Sequence, residues 1–241
     1  MLFNSLDYIL FLIVFTITFF LVKAKYRWIL LLAASYFFYM CWKWEFIFLI
    51  IFSTLVDFFC GIKMSKAETL SKRKIFLFIS LIANIGLLFF FKYFDFFTGS
   101  LNQFSGLNFQ PLNLILPMGI SFYTFQTMAY SIDIYKGKIN PEKHLGKFAL
   151  YVSFFPQLVA GPIERADKLL PQFQSNNNKF KFENFISGST QVLFGLYKKV
   201  VVADLIAIYV ESIYGTYELY TGFTLLFATY LFAIQIYCDF S

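Results

Sequence analysis

Proton transfer near neutral pH is work suited to histidine, and the sequence has one, His144, in the run PEKHLGK between Lys143 and Lys147. Its setting is a basic loop with no apolar pocket in the adjoining sequence, so it reads as a solvated surface histidine. No G-x-S-x-G elbow, P-loop, zinc-binding H-E-x-x-H helix or Cys-His signature is present. Cys41, Cys60 and Cys238 lie far apart, in or beside apolar runs. That spacing fits buried small hydrophobes, not a disulfide framework or a C-x-x-C metal site. What remains are polar side chains inside apolar runs, which are costly in hydrocarbon and functional by default. Asp57 stands toward the inner end of its run, shortly before Lys63, and a place near the interface accounts for it. Asn84 and Gln235 sit mid-run, where hydrogen bonding between helices accounts for them. Gln126, Gln157 and Asp239 fall in stretches with further features, described below.

The stretch around Gln157 is the most informative. Residues Tyr151 to Phe173, YVSFFPQLVAGPIERADKLLPQF, are apolar enough to enter a bilayer, yet Pro156 and Pro162 interrupt them where a spanning helix would continue. Each proline removes a backbone donor and drives the preceding residue, Phe155 or Gly161, out of helical geometry. Irregular backbone survives at membrane depth only when buried in protein or lining a wet cavity. A helix over 147–155 rises about 13 Å, under half of a hydrocarbon core of roughly 30 Å. The run is therefore expected to enter the membrane and turn back as a re-entrant, cavity-lining segment.

The elements that must position it are long apolar runs. The chain is 59% hydrophobic with 36 Phe and 16 Tyr and a mean hydropathy of +0.66, well beyond the 45–50% or so of a soluble domain. The fold class is all-α: a polytopic membrane protein of about seven spanning helices plus the proline-broken segment, over a single membrane domain, 1–241. Leu6 to Val22, Trp28 to Trp42, Phe46 to Ile62 and Ile75 to Phe91 are the first four crossings. No small-residue cleavage site follows the first, which stays as an anchor. Trp28, Trp42 and Trp44 suit interfacial belts. Lys92 to Asn113 reads as a loop. Leu114 to Tyr135 is the fifth crossing, starting near Pro117; Gly119, Tyr123, Gln126 and Tyr130 share one strip of it, with Thr124, Thr127 and Ser131 on the next. That face is too polar for lipid, and two roles fit it: close helix packing or lining a substrate path. Asn184 to Lys199 is amphipathic and placed along the interface. Val200 to Tyr214 and Gly222 to Tyr237 are the last two crossings.

The net charge of +6 does not indicate nucleic acid, since the basic residues form short clusters between apolar runs with no continuous basic face. They read as topology signals. With the N-terminus outside, the gaps facing inward after the first, third and fifth crossings hold twelve of the 20 Lys and Arg, against Lys43 and Lys92 outward. This is a strong positive-inside bias. There is no internal repeat of the kind common in transporters.

Three motifs carry a family resemblance: LPMGISFYTFQTMAYSIDIYKG (Leu116 to Gly137), FFPQLVAGPIER (Phe154 to Arg165) and IYCDFS (Ile236 to Ser241). In this order they resemble the membrane-bound O-acyltransferase family, and within it the alginate O-acetyltransferase branch, whose relatives include peptidoglycan O-acetyltransferases and the teichoic-acid D-alanyl transfer protein. The resemblance implies an O-acyltransferase of the bacterial inner membrane that moves an acetyl-type group from a cytoplasmic donor to hydroxyls of an exported polysaccharide or cell-wall glycan. Acetyl-CoA or an acylated carrier would be the donor, with no bound cofactor, and an extracytoplasmic acetyltransferase partner would complete delivery. It also implies that Tyr123, Gln126, Gln157, Gly161, Pro162 and Arg165 shape the substrate path, with Pro156 and Pro162 making the re-entrant turn. Asp239 and Ser241 would adjoin the catalytic histidine, which in the family stands in an Arg-Trp-His motif after the last of these. The resemblance thus puts the base beyond Ser241, and residues 1–241 read as the N-terminal portion of such a fold, truncated and inactive alone. Two other functions are compatible with broken membrane helices: a transporter or flippase, against which the lack of repeats and of paired intramembrane charges speaks, and a scaffold without activity.

Overall fold

The computed structural model describes residues 3, 5–105, 110–158, 161–174 and 180–240. Among these the chain is helical throughout, with no strand, as apolar runs with few breakers dictate. In chain order the helices are α1 (Leu6–Leu21), α2 (Arg27–Met40), α3 (Ile47–Lys66), α4 (Leu70–Leu88), α5 (Phe94–Ser105), α6 (Ile120–Tyr135), α7 (Leu145–Ser153), the single turn α8 (Phe155–Leu158), α9 (Ala166–Gln174), α10 (Phe182–Tyr197), α11 (Asp204–Gly215) and α12 (Gly222–Phe240). Three helical stretches are long and apolar enough to cross a membrane: Trp44–Lys66, Leu70–Phe104 and Gly222–Phe240. Leu6–Leu21 is a shorter apolar helix.

The helices group into two compact units, one of residues Leu21–Asn177, the other of Met1–Phe20 with Asn178–Ser241. In the larger unit α3, α4 and α6 pack against one another, and α7 packs onto α2 and α3. Ile50, Met64, Tyr123, Phe148, Leu150 and Val152 are fully buried at its centre. Lipid tails are as apolar as these side chains, so burial alone does not favour helix association in a bilayer; van der Waals fit and polar links must supply it. In the smaller unit α11 and α12 form an antiparallel hairpin through the turn Tyr217–Leu219.

Three element boundaries differ from the sequence reading. Lys92 to Asn113 is not wholly a loop: α4 continues through a π-helical turn, Phe89–Tyr93, into α5. No proline intervenes before Pro111, and Gly99 alone costs a helix only about 1 kcal/mol. The helix of the fifth crossing starts at Ile120, not near Leu114, because Gly119 adopts φ +74°, a left-handed turn that glycine makes without strain. Finally, the interfacial segment and the crossing at Val200 form one continuous helical stretch, α10 and α11 being joined by a π-helical segment, Lys198–Ala203.

Candidate functional site

The proline-broken run is broken as its sequence requires, and its part in α7 is buried. Phe148 to Ser153 of α7 are each at most 6% exposed. The helix ends at Ser153, and Phe154 leaves helical geometry at φ −55°, ψ 108°. The departure falls one residue earlier than predicted: Phe155 is instead the first residue of α8. Pro156 stands second in that turn, where a missing amide costs nothing because first-turn amides lack an intrahelical partner. Gly161 and Pro162 lie outside any helix, as predicted.

Groups freed by the break are recovered by side chains of other helices. The Phe155 amide donates to Ser35 Oγ of α2 at 3.2 Å. Gln126 Nε2 of α6 donates to the Tyr151 carbonyl at 2.9 Å, covering one of the last carbonyls of α7. Tyr151 donates its hydroxyl to the Glu164 carbonyl at 3.1 Å, and the Gly161 amide donates to the Gln157 carbonyl at 3.0 Å. Gly161 is held close: a Cβ there would stand 2.7 Å from Gln157 Cα. Serine at position 35 gave no special signal in the sequence, being one hydroxyl in an apolar run.

The polar strip of α6 divides between the two roles left open for it. Thr127 donates to Asn84 Oδ1 at 3.2 Å and Ser131 meets Ser80, so these two bind helices together. Tyr123 OH and Thr124 Oγ1, in contrast, are buried with no hydrogen-bond partner, as are Tyr39 OH, Thr54 Oγ1 and Gln157 Nε2. Leaving such a group unpaired costs about 1–3 kcal/mol. With Arg73 Nε they make six among the described residues of the larger unit, polar atoms kept at a cost to stability. Of the other path candidates, Pro156, Pro162 and Arg165 are exposed.

Asp57 is enclosed by other helices. It is 0% exposed, and its carboxylate ties α3 to α4: Ser80 Oγ donates to Oδ1 at 2.5 Å, and Asn84 Nδ2 lies 2.9 and 2.8 Å from the two oxygens. Ser53 donates to Asn84 Oδ1 at 2.7 Å, so Asn84 is the interhelical partner the sequence predicts. The sequence did not show this enclosure, because position along an apolar run says nothing about which face meets other helices.

In the smaller unit Asp239 accepts from Lys199 Nζ at 2.7 Å, and the same ammonium meets Asp204 at 2.8 Å. Hydrogen bonds to Asp204 and then Asp239 hold Lys199 above the usual lysine range. Ser241 lies outside the described residues. His144 is exposed and caps α7, its Nδ1 accepting from the Lys147 amide at 3.3 Å, while its ring meets Trp28 edge to face at 4.7 Å. It is a structural residue of an exposed loop. Cys60 and Cys238 are buried as predicted, whereas Cys41 is exposed. An open cleft of about 360 Å³ lies between 139–143 and α9, lined by Glu142, Lys143, Asp167 and Leu170 among others. Among the described residues no cluster of three metal-ligating side chains occurs.

No protein-family model matches the chain. Curated proteins do. A peptidoglycan O-acetyltransferase of Helicobacter pylori is 34% identical over 88% of this chain and 45% of its own length. A probable alginate O-acetylase of Pseudomonas syringae pv. tomato is 35% identical over 96% of the chain, again 45% of its own length. A teichoic acid D-alanyltransferase of Streptococcus thermophilus is 28% identical over 36% of the chain and 21% of its own. The chain spans about half the length of the first two relatives. Over most of its length the chain is thus similar to alginate O-acetylases and to a peptidoglycan O-acetyltransferase, the proteins of the branch that its three motifs resemble.

Proposed function

We propose that this chain forms the substrate path of a membrane O-acyltransferase that moves an acetyl-type group from a cytoplasmic thioester, acetyl-CoA or an acylated carrier, to hydroxyls of an exported polysaccharide or cell-wall glycan. The observation that carries this reading is the 34–35% identity, over most of the chain, to proteins named for O-acetylation of such polymers. The break that follows the buried helix α7 supports it physically, because a reaction within a membrane needs polar groups sheltered from lipid by protein. In the reaction the glycan hydroxyl attacks the thioester carbonyl, an ester forms and the thiol leaves. A base must take the hydroxyl proton, and donors must stabilise the charge that develops on the carbonyl oxygen.

Gln126, Pro156, Gly161 and Pro162 hold the break in shape. Tyr123 and Gln157 present hydroxyl and amide groups to the path, and Arg165 stands at its exposed end. Asp239 and Ser241 adjoin the base, a histidine beyond Ser241; His144, as an exposed helix cap, is not that base. The protein sits in the bacterial inner membrane with its N-terminus outside and works with an extracytoplasmic acetyltransferase partner.

The test is to delete the gene, restore it, and measure base-labile acetate on the exported glycan. The complete gene should restore the esters and residues 1–241 alone should not. Loss of polymer export with unchanged acetate per sugar would favour a flippase instead. Full restoration by residues 1–241 would remove the base from its proposed place.

A further inference from the structure

Two adjacent lysines grip the last turn of α12, within the part of the IYCDFS motif that the helix carries, Ile236 to Phe240. Lys199 Nζ is 2.7 Å from Asp239 Oδ1 and 2.8 Å from Asp204 Oδ1. Lys198 Nζ lies over the Tyr237 ring at 5.5 Å and over Phe194 at 4.8 Å. The backbone explains how one ammonium reaches both carboxylates. Residues 199 and 204 are five apart, and at 3.6 residues per turn they would point about 140° away from each other. The segment Lys198–Ala203 is π-helical, and its wider i→i+5 turn stacks such residues instead. Helix interiors adopt this geometry rarely, and frequently at functional sites. Here it turns Asp204 back toward Lys199 while α12 supplies Asp239.

We propose that Lys199 is a positioning residue: its ammonium, bridging Asp204 and Asp239, fixes the Tyr237–Asp239 turn and keeps the Asp239 carboxylate neutralised and aimed for acyl transfer. The catalytic part rests on the proposed O-acyltransferase function, whereas the mechanical part, that Lys199 holds the turn, does not. Lys198 adds a cation–π contact to the same turn.

Cys238, between the two gripped residues, is 9% exposed and reports on the mechanical part directly. The complete gene is expressed in a Cys41→Ser background, with buried Cys60 as internal reference. Labelling of Cys238 by a small maleimide and acetate transfer in membranes are then compared for wild type, Lys199→Met, Lys199→Arg and Asp239→Asn. Lys199→Met should raise the Cys238 labelling rate at least about tenfold relative to Cys60. It should lower kcat at least about tenfold with the donor KM unchanged, and Lys199→Arg should restore most of both. Unchanged Cys238 labelling in Lys199→Met would overturn the proposal. If Lys199→Met fails to accumulate, Asp239→Asn carries the labelling test, with the same rise expected and the same null result fatal. Raised labelling with no acetate transfer even by wild type would leave the clamp standing and remove the proposed function. Raised labelling with undiminished kcat would overturn the catalytic part.

Discussion

Gln126 of α6 and Tyr151 of α7 are joined side chain to main chain at 2.9 Å, with both groups buried. The amide supplies to α7 a donor that the next turn of helix would have given had Phe154 not left it. A glutamine 25 positions away in sequence thereby makes the break affordable, and its position one turn along from Tyr123 ties the break to the unpaired hydroxyls of α6.

Replacing Gln126 by leucine keeps the volume and removes the donor. The Tyr151 carbonyl is then unpaired, at about 1–3 kcal/mol. Thermal unfolding in detergent should show a lower midpoint, and acetate transfer should fall with it. An unchanged midpoint would mean that the carbonyl does not depend on Gln126.

Gly161→Ala puts a methyl 2.7 Å from Gln157 Cα and 2.8 Å from its Cβ. The nearest neighbour is backbone, so the turn itself must move, at a cost of about 1–3 kcal/mol. Gly188, beside whose Cβ position nothing lies within 4 Å, is the control. Gly188→Ala should leave the unfolding midpoint unchanged or slightly raise it, as alanine does within a helix.

Asp57→Ala removes the carboxylate that Ser80 and Asn84 share, each hydrogen bond to a charged group being worth about 1.5–3 kcal/mol, and should be the most damaging of these changes. Ser80→Ala weakens the same network. The double variant should therefore cost less than the sum of the singles, because residues sharing a network are not additive. A double-mutant cycle on detergent unfolding checks this, and strict additivity would dissolve the cluster as a unit.

His144→Asn keeps a side chain that caps helices well, whereas His144→Ala loses the cap at about 0.5–2 kcal/mol. Acetate transfer corrected for folded protein should be the same for both. A specific loss in His144→Asn would make the imidazole chemical after all.

Much of the helical layout was legible because long apolar runs and prolines act locally. Pro156 and Pro162 announced the break, and the homology named by the three motifs stands. The missed features are tertiary. Ser35 meets the Phe155 amide across 120 positions, a distance over which a single hydroxyl carries no readable pattern. Asp57 looked peripheral because its run ends near lysines, yet the faces of α4 and α6 enclose it. The π-helical turns were invisible too, since neither FFFKY nor KKVVVA contains a breaker.

The stretch Leu70–Phe104 runs 35 residues without interruption, about 52 Å at 1.5 Å per residue. A hydrocarbon slab of roughly 30 Å, crossed at even a steep 40° tilt, takes up only about 26 of those residues. Some two and a half turns therefore have no room among acyl chains, and they are shared between the basic end, Lys72 to Lys74, and the end of α5. Beside that second end Asp95 holds the amides of Leu112 and Asn113 at 2.8 and 3.0 Å, which ties the overhanging helix to the chain that follows it.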